Sequence, residues 1–470
     1  MLDHVPFLII LPESRILYRE ADRLVYDSDG VTLMRFRPSL VLLCETAEEI
    51  VKIVKYCHSH SIPFVTRGAG TGLSGGALAC GESVMIVTAG LDRILEVDPD
   101  GRWALVESGV VNERLSKEVK KYGLHFAPDP SSGAASTIGG NIAENAGGPH
   151  CLKYGATAEH ILGMEVILPD GEKIWLDANN ESASLLSLMI GSEGTLGIIT
   201  KAKVKLMPLA EAVKTLLIDF PTVRDASETV SEIIAKGIIP AALEMIDSEV
   251  LDALEAAFKL GFPTDAGALL IIELDGRKHS IERLTNQVIE IVKRHHSRTV
   301  RVAADEKERN ALWQARKKAF GALGRVSPSY YTQDGVIPRY TLPDVLEEIT
   351  KIGKKHGLRI ANIFHAGDGN LHPAILYNEK DPESVKKVLS ASKDILLLCL
   401  SKNGSITGEH GIGIEKKEAL GWMFGEKDIE IMARLRNAIN EQGLLNPGKF
   451  LPTDHPCLEA GHKHRVVPLN

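Results

Sequence analysis

Five glycines fall within the thirteen residues Thr66 to Leu78, TRGAGTGLSGGAL, directly after the apolar stretch Ile62-Pro63-Phe64-Val65. Glycine permits backbone conformations and close approaches that other residues forbid, so such a segment limits what can surround it. Gly70, Gly72 and Gly75 satisfy G-x-G-x-x-G, and Asp92 follows about twenty residues on, as in a nicotinamide-binding fingerprint. That fingerprint requires a strand opening through the loop into a crossover helix of at least about ten residues. Only Ala77, Leu78, Ala79 and Cys80 precede Gly81, and SVMIVTA then reads as a strand rich in β-branched residues. The loop joins strand to strand, and without a following Gly-Lys-Ser/Thr it is no Walker loop. On these residues alone it is a ligand loop or a bare glycine turn.

Two further glycine-dense segments follow in the first half, residues 133–148 and GSEGTLG at 191–197. Three of them suggest backbone amides lining an extended polar ligand. A helix is predicted over 46–60, with Thr46 capping and Glu49 three positions later. Residues 128–149 contain few large apolar side chains and read as one long functional loop. A hairpin is expected to turn at Asp170-Gly171.

With 470 residues the chain exceeds what one core organises, so two or three domains are expected. A net charge of 54 minus 62, or −8, argues against nucleic acid as a bulk partner. No apolar run approaches the roughly eighteen residues of a membrane span. Met1-Leu2-Asp3-His4 lacks the positive flank of a signal peptide, so a cytoplasmic location is expected. The six cysteines never come closer than thirteen positions, which excludes C-x-x-C zinc sites and clustered iron–sulfur ligation.

After Pro208 strands alternate with helices, predicted over 222–237, 248–259, 279–296, 305–323, 342–356 and 382–402. The pattern suggests a one-layer antiparallel sheet with helices on one face. A last helix is expected over 427–441. RIANIFHAGDGNLHPAILYN reads as two strands around a Gly-Asp-Gly turn, which brings His365 and His372 together across the hairpin's mouth. With Glu409 of GEHGIG they suit Zn²⁺, Mn²⁺ or Fe²⁺; without an ion they simply flank a turn. Adjacent side chains tend to diverge, so His410 reads as a base rather than a fourth ligand. Arg316, in NALWQARKKAF, offers a fork for a carboxylate or belongs to a solvated helix face.

Several motifs together resemble the flavin domain of the vanillyl-alcohol-oxidase class, with its PCMH-type FAD-binding domain. They are Arg67-Gly68-Ala69-Gly70-Thr71-Gly72 with Leu73-Ser74, Pro128, and Gly139-Gly140-Asn141-Ile142-Ala143 with Gly147-Gly148. Lys153-Tyr154-Gly155 and Gly191-Ser192-Glu193-Gly194-Thr195-Leu196-Gly197 complete the set. The resemblance implies FAD, its pyrophosphate over the first loop. It also implies cofactor roles for Gly133, Thr137, Ile199 and Asn446. Many members carry a flavin-linking histidine where Thr71 stands, so the FAD is expected to be non-covalent.

HAGDGNLH at 365–372, GEHGIG at 408–413, NPGK at 446–449 and the Trp313–Arg316 helix resemble the D-2-hydroxy-acid dehydrogenases of that class, nearest the glycolate-oxidising type. That implies a divalent metal, Zn²⁺ or Mn²⁺, on His365, His372 and Glu409. It further implies Asn370 near the substrate, Arg316 on its carboxylate and His410 as base. Phe320 is apolar where the dicarboxylate-oxidising branch tends to be polar, which favours glycolate or D-lactate over a 2-hydroxyglutarate. The implied fold is α+β: an N-terminal segment 1–35, an FAD domain of two α+β subdomains over 36–212, and a ferredoxin-like cap over 213–425. A segment over 426–452 returns to the FAD domain, and 453–470 is a tail. Electrons are expected to pass to an iron–sulfur subunit, an electron-transferring flavoprotein or quinone. A homodimer and a peripheral seat at the inner membrane are compatible with this reading. A non-redox transferase of the same superfamily is the rival.

Overall fold

The computed structural model describes residues 2–31, 33–259 and 261–452, so the tail expected over 453–470 lies outside the described residues. Strands β1 (Ile16–Leu17), β2 (Leu40–Leu43), β3 (Phe64–Arg67) and β4 (Val84–Val87) form a sheet in the order β1-β2-β4-β3. Helix α1 (Glu20–Arg23) precedes β2, and α2 (Ala47–Ser59) carries the chain from β2 to β3. The capping box expected for α2 is present. The Thr46 hydroxyl accepts from Glu49 N at 3.2 Å, and the Glu49 carboxylate accepts from Thr46 N at 3.2 Å. Strands β3 and β4 run parallel, and residues 68–83 join them without a helix. The glycine segment is itself the crossover, which explains its length.

A second, antiparallel sheet follows. Strands β5 (Ile94–Asp98) and β6 (Trp103–Glu107) open it, and β7 (Leu124–His125) pairs outside it. Strands β8 (Ile161–Ile167), β9 (Lys173–Asp177) and β10 (Ile198–Lys205) complete the order β5-β6-β10-β8-β9, while β11 (Met207–Pro208) is the partner of β7. The expected hairpin at Asp170-Gly171 is the β8–β9 turn, closed by Gly171 N donating to Leu168 O at 2.9 Å. Helices α3 (Asn112–Val119), α4 (Ile138–Glu144), α5 (Cys151–Tyr154) and α6 (Ala183–Met189) lie among these strands. Residues 128–149 are therefore not all loop. The Thr137 hydroxyl caps α4 by accepting from Gly140 N at 3.3 Å, and Ile138 and Ile142, one turn apart, bury in the second sheet's core. Two glycines in its first turn hide this helix from a propensity reading.

The third layer is an eight-stranded antiparallel sheet among the described residues. It alternates β12 (Ala212–Phe220), α7 (Val223–Ala235), β13 (Ala242–Asp247), α8 (Ser248–Phe258), β14 (Ala268–Gly276), α9 (Lys278–Arg294) and β15 (Thr299–Val302). The helix expected over 305–323 breaks at Lys318 into α10 (Glu306–Lys317) and α11 (Ala319–Val326). Strands β16 (Ser329–Thr332) and β17 (Gly335–Val336) were not foreseen; α12 (Leu342–His356), β18 (Arg359–His365), β19 (Asn370–Tyr377) and α13 (Pro382–Ser401) were. The strand order is β15-β12-β14-β13-β18-β19-β16, with β17 also on β19.

Helices cover both faces of this sheet rather than one. Leu216, Ile218, Leu270, Ile272 and Phe364 pack with α7, α9, α12 and α13. The alternate residues Leu217, Leu269, Ile271 and Ile363 pack with α8, α10 and α11. Both sets of alternating positions are apolar, so the strands can be buried on both sides. Glu244, Glu273, His365, Asn370 and His372 share the parity of the second face, on the α10 side. Two-residue periodicity thus gathers the polar residues of four different strands. Helices α14 (Lys417–Met423) and α15 (Glu426–Ile439) follow, and the chain returns to the first sheet, where Asn446 N donates to Phe64 O at 2.9 Å. No helix among the described residues is long and apolar enough to cross a membrane.

Glu273 fastens α10 to the sheet. Its carboxylate accepts from Thr215 Oγ1 at 2.6 Å, from Arg309 twice at 2.8 Å and from Trp313 Nε1 at 2.7 Å. His150 Nε2, from the end of the second glycine segment, lies 3.3 Å away. Burial alone would raise the Glu273 pKa, but the hydrogen bonds from His150 and Arg309 outweigh it and hold the carboxyl far below its usual range. Its stabilisation is therefore complete above the unfolded carboxyl pKa of about 4.3 and drains away as pH falls below that value. Glu273→Gln should cost about 3 kcal/mol or more in urea unfolding at neutral pH and flatten the acid limb of the stability curve.

Candidate active site

The three glycine segments meet in one cleft of about 430 Å³ between the first two sheets and the third. From the first loop Gly68, Ala69, Gly70, Thr71, Gly72 and Leu73 line it. Helix α4 and its cap add Thr137, Gly139, Gly140, Asn141 and Ala143, followed by Gly147. Glu193, Gly194, Ile199 and Asn446 close the rest. Gly70 has φ +71°, and a Cβ there would collide with the Arg67 guanidinium. The buried hydroxyls of Thr66 and Ser136, both on the cleft wall, lack hydrogen-bond partners. A long trough of bare backbone with orphaned donors fits an extended polar cofactor such as FAD.

Arg67, Ser74, Pro128, Gly133 and Tyr154 lie off the cleft lining. Arg67 donates to Ser28 O at 2.8 Å beneath the loop, and Ser74 O accepts from Ile414 N and Glu415 N. Pro128 O accepts from Asn112 Nδ2 at 2.9 Å, and Gly133 N donates to Pro130 O at 2.7 Å in a turn. The Tyr154 phenol donates to Asp275 of β14. These residues hold the walls in place rather than forming their surface.

Opposite the glycine wall, the same cleft is lined by Arg316, His372, Glu409 and His410. His372 Nε2 lies 2.9 Å and His365 Nε2 3.4 Å from Glu409 Oε1. The ligand atoms of the three residues lie within 4.8 Å of one another, a set able to hold a divalent cation. His365 is oriented by Glu244, whose Oε1 is 2.6 Å from His365 Nδ1. His410 stacks on His372, with centroids 4.9 Å apart and planes at 6°. Its Nε2 is 3.8 Å from Glu409 Oε1, so the adjacent side chains converge instead of diverging. Asp334 is the cause. Its fully buried carboxylate accepts from the N–H of Gly408, Glu409 and His410, at 2.9, 3.2 and 2.9 Å, and from the Thr407 hydroxyl at 2.5 Å. The loop curls around this one acceptor and sends both side chains into the cleft.

Burial pushes the His410 pKa down to about 4, against the opposing pull of Asp334, so its imidazole is neutral at neutral pH. Arg316 is almost fully buried, and its Nε and Nη2 lie 2.8 and 2.6 Å from Glu244 Oε2. It belongs to no solvated helix face. Asn370 lies beneath the loop, against Gly408, and its buried Oδ1 has no hydrogen-bond partner. Glu244, Glu273 and Asp334 were missed. The available signal was an acid inside each of the apolar strands ALEMID and ALLIIELDG, ahead of the acid at or near the strand's end; Asp334 had none in its spacing.

A family profile described as "FAD linked oxidases, C-terminal domain" matches residues 209–450, and one described as "FAD binding domain" matches residues 38–177. The chain belongs to the FAD-linked oxidase family. As an FAD-linked oxidoreductase it is 44% identical to glycolate oxidase subunit GlcD of Escherichia coli (strain K12), over 98% of this chain and 92% of that one. It is 38% identical to the GlcD subunit of Bacillus subtilis (strain 168), over 92% and 93%. D-lactate dehydrogenase of Anaerostipes hadrus is 33% identical over 88% and 90%. Among solved structures, p-cresol methylhydroxylase with substrate bound superposes with a TM-score of 0.80 at 16% identity, covering 95% of each chain, and so shares the fold. An alkyldihydroxyacetonephosphate synthase superposes at 0.75 with 18% identity, over 95% of this chain and 85% of that one.

Gly70→Ala should impose about 1–3 kcal/mol of backbone strain under the FAD loop. The expected outcome is FAD affinity at least about tenfold weaker, read from the flavin-to-protein absorbance ratio during dilution.

Proposed function

We propose that the chain oxidises small D-2-hydroxy acids, glycolate or D-lactate, to 2-oxo acids, using non-covalent FAD and a divalent cation, Zn²⁺ or Mn²⁺. The observation that carries this is the shared cleft: Arg316, His372, Glu409 and His410 face the glycine wall across it. Residues 36–212 supply that wall, 213–425 the cap, and 426–452 the returning segment that bears Asn446.

When bound, FAD would supply the acceptor for the C2 hydride, with an iron–sulfur protein, electron-transferring flavoprotein or quinone as the outside electron acceptor, and the cation would supply the charge that lowers the pKa of the substrate hydroxyl. The rest falls to side chains. The guanidinium of Arg316, held through Nε and Nη2, offers its other edge to the substrate carboxylate. His365, His372 and Glu409 would hold the cation, and Asn370 sits beside the loop that supplies Glu409. Neutral His410 accepts the proton of the 2-hydroxyl. Phe320 and Tyr330 stack with centroids 5.8 Å apart on the cleft wall beside Arg316. The Phe320 ring itself offers a second carboxylate no hydrogen bond, which favours a short monocarboxylate. Thr71 stands in the first loop where a flavin-linking histidine would be needed, so FAD is held by the cleft alone.

D-lactate or glycolate should bleach the flavin anaerobically; no bleaching by any 2-hydroxy acid contradicts the proposal and favours a non-redox transferase. His410→Ala should keep its FAD while kcat falls about 10²- to 10⁴-fold in a dye-linked assay.

A further inference from the structure

We propose that Glu244 is a positioning residue shared by both halves of the site, one oxygen orienting the cation ligand His365 and the other aiming the guanidinium of Arg316. The inference rests on the roles just given to His365 and Arg316 and goes beyond them in joining the two.

Strand β13 pairs with β18 so that Glu244 stands directly opposite His365, on the face turned to the cleft. Its side chain is 1% exposed and its two oxygens are divided. Oε1 takes His365 Nδ1 at 2.6 Å; Oε2 takes Arg316 Nε at 2.8 Å and Nη2 at 2.6 Å. A carboxylate accepting at Nδ1 fixes the tautomer that leaves the Nε2 lone pair free, and Nε2 is the atom aimed at Glu409. His372 has no such support. Its Nδ1 makes no hydrogen bond, and Asp334 Oδ1 is 4.0 Å away. Of the two histidine ligands, only His365 is oriented by a carboxylate, and that carboxylate belongs to Glu244.

The same residue decides where the guanidinium sits. Arg309, Trp313 and Arg316 form one stripe of α10, the first two fastened to Glu273 and the third to Glu244. A 2-hydroxy acid carries its hydroxyl and carboxylate on adjacent carbons, so cation and guanidinium must be set at one separation. One rigid carboxylate bonded to both sides sets it. A merely structural role, neutralising buried Arg316 and satisfying the His365 N–H, would not tie the cation affinity to the substrate step.

The test uses FAD-loaded wild-type protein, Glu244→Gln, Glu244→Asp, Arg316→Met and the double variant Glu244→Gln/Arg316→Met. Mn²⁺ is titrated without substrate, and kcat/KM for D-lactate is measured at saturating Mn²⁺ with a dye acceptor. Glu244→Gln should weaken Mn²⁺ about 10- to 100-fold and lower kcat/KM about 100-fold. In the Arg316→Met background the same change should still weaken Mn²⁺ but lower kcat/KM by less than about threefold, because it acts on substrate through Arg316. Glu244→Asp keeps the charge but is too short to hold both partners. It should show the same pattern, and it carries the test if the glutamine variant fails to fold. Wild-type Mn²⁺ affinity in the folded variants overturns the proposal, as does a kcat/KM loss that multiplies fully in the Arg316→Met background. Wild-type protein that binds no Mn²⁺ overturns the parent reading and the proposal with it.

Discussion

A carboxylate taken out of water costs several kcal/mol unless cations or N–H donors surround it. Beside the flavin cleft this protein buries Glu244, Glu273 and Asp334 almost completely. Each must find partners, and those of Glu244 and Asp334 include groups that line the cleft. Glu273 collects Arg309, Trp313 and His150; Glu244 collects Arg316 and His365; Asp334 collects the backbone that presents Glu409 and His410. Satisfying the buried charge therefore fixes the site before any ligand arrives, which is the condition for preorganised catalysis.

The two walls of the cleft solve different problems. On the glycine side the chain removes side chains, so that a long cofactor can lie on peptide N–H groups. The parallel pair β3 and β4 is joined by that bare loop instead of a helix. On the opposite side the chain adds charge, using the second face of a sheet already buried on both sides. Residues 148–155, which include α5, link the two, since Lys153 and Tyr154 bind Asp275 while His150 reaches Glu273. The glycine wall and the third sheet are thereby held in one register.

Much of this was legible from residue order. The capping box of α2, the β18–β19 hairpin with His365 and His372 at its mouth, and the glycine segments depend on local spacing, which a sequence displays directly. Helix α4 was not legible because Gly139 and Gly140 mask a helix that exists through the burial of Ile138 and Ile142. The second helical face of the cap sheet was hidden because strands that are apolar at both parities give no sign of which side is covered. The convergence of Glu409 and His410 depends on Asp334, about 75 residues away, and no local rule connects them. Likewise the residues around Arg316 leave a carboxylate fork and a solvated helix face both open until Glu244 is placed beneath it.

Buried carboxylates are proposed to hold a cation site directly across the cleft from the glycine wall. Anomalous scattering from crystals of the FAD-loaded protein soaked in Mn²⁺ tests it most directly. One strong peak is expected about 2.0–2.3 Å from His365 Nε2, His372 Nε2 and a Glu409 oxygen, on the cleft side. A fully occupied peak elsewhere, or none at saturating Mn²⁺ with flavin in place, would contradict it.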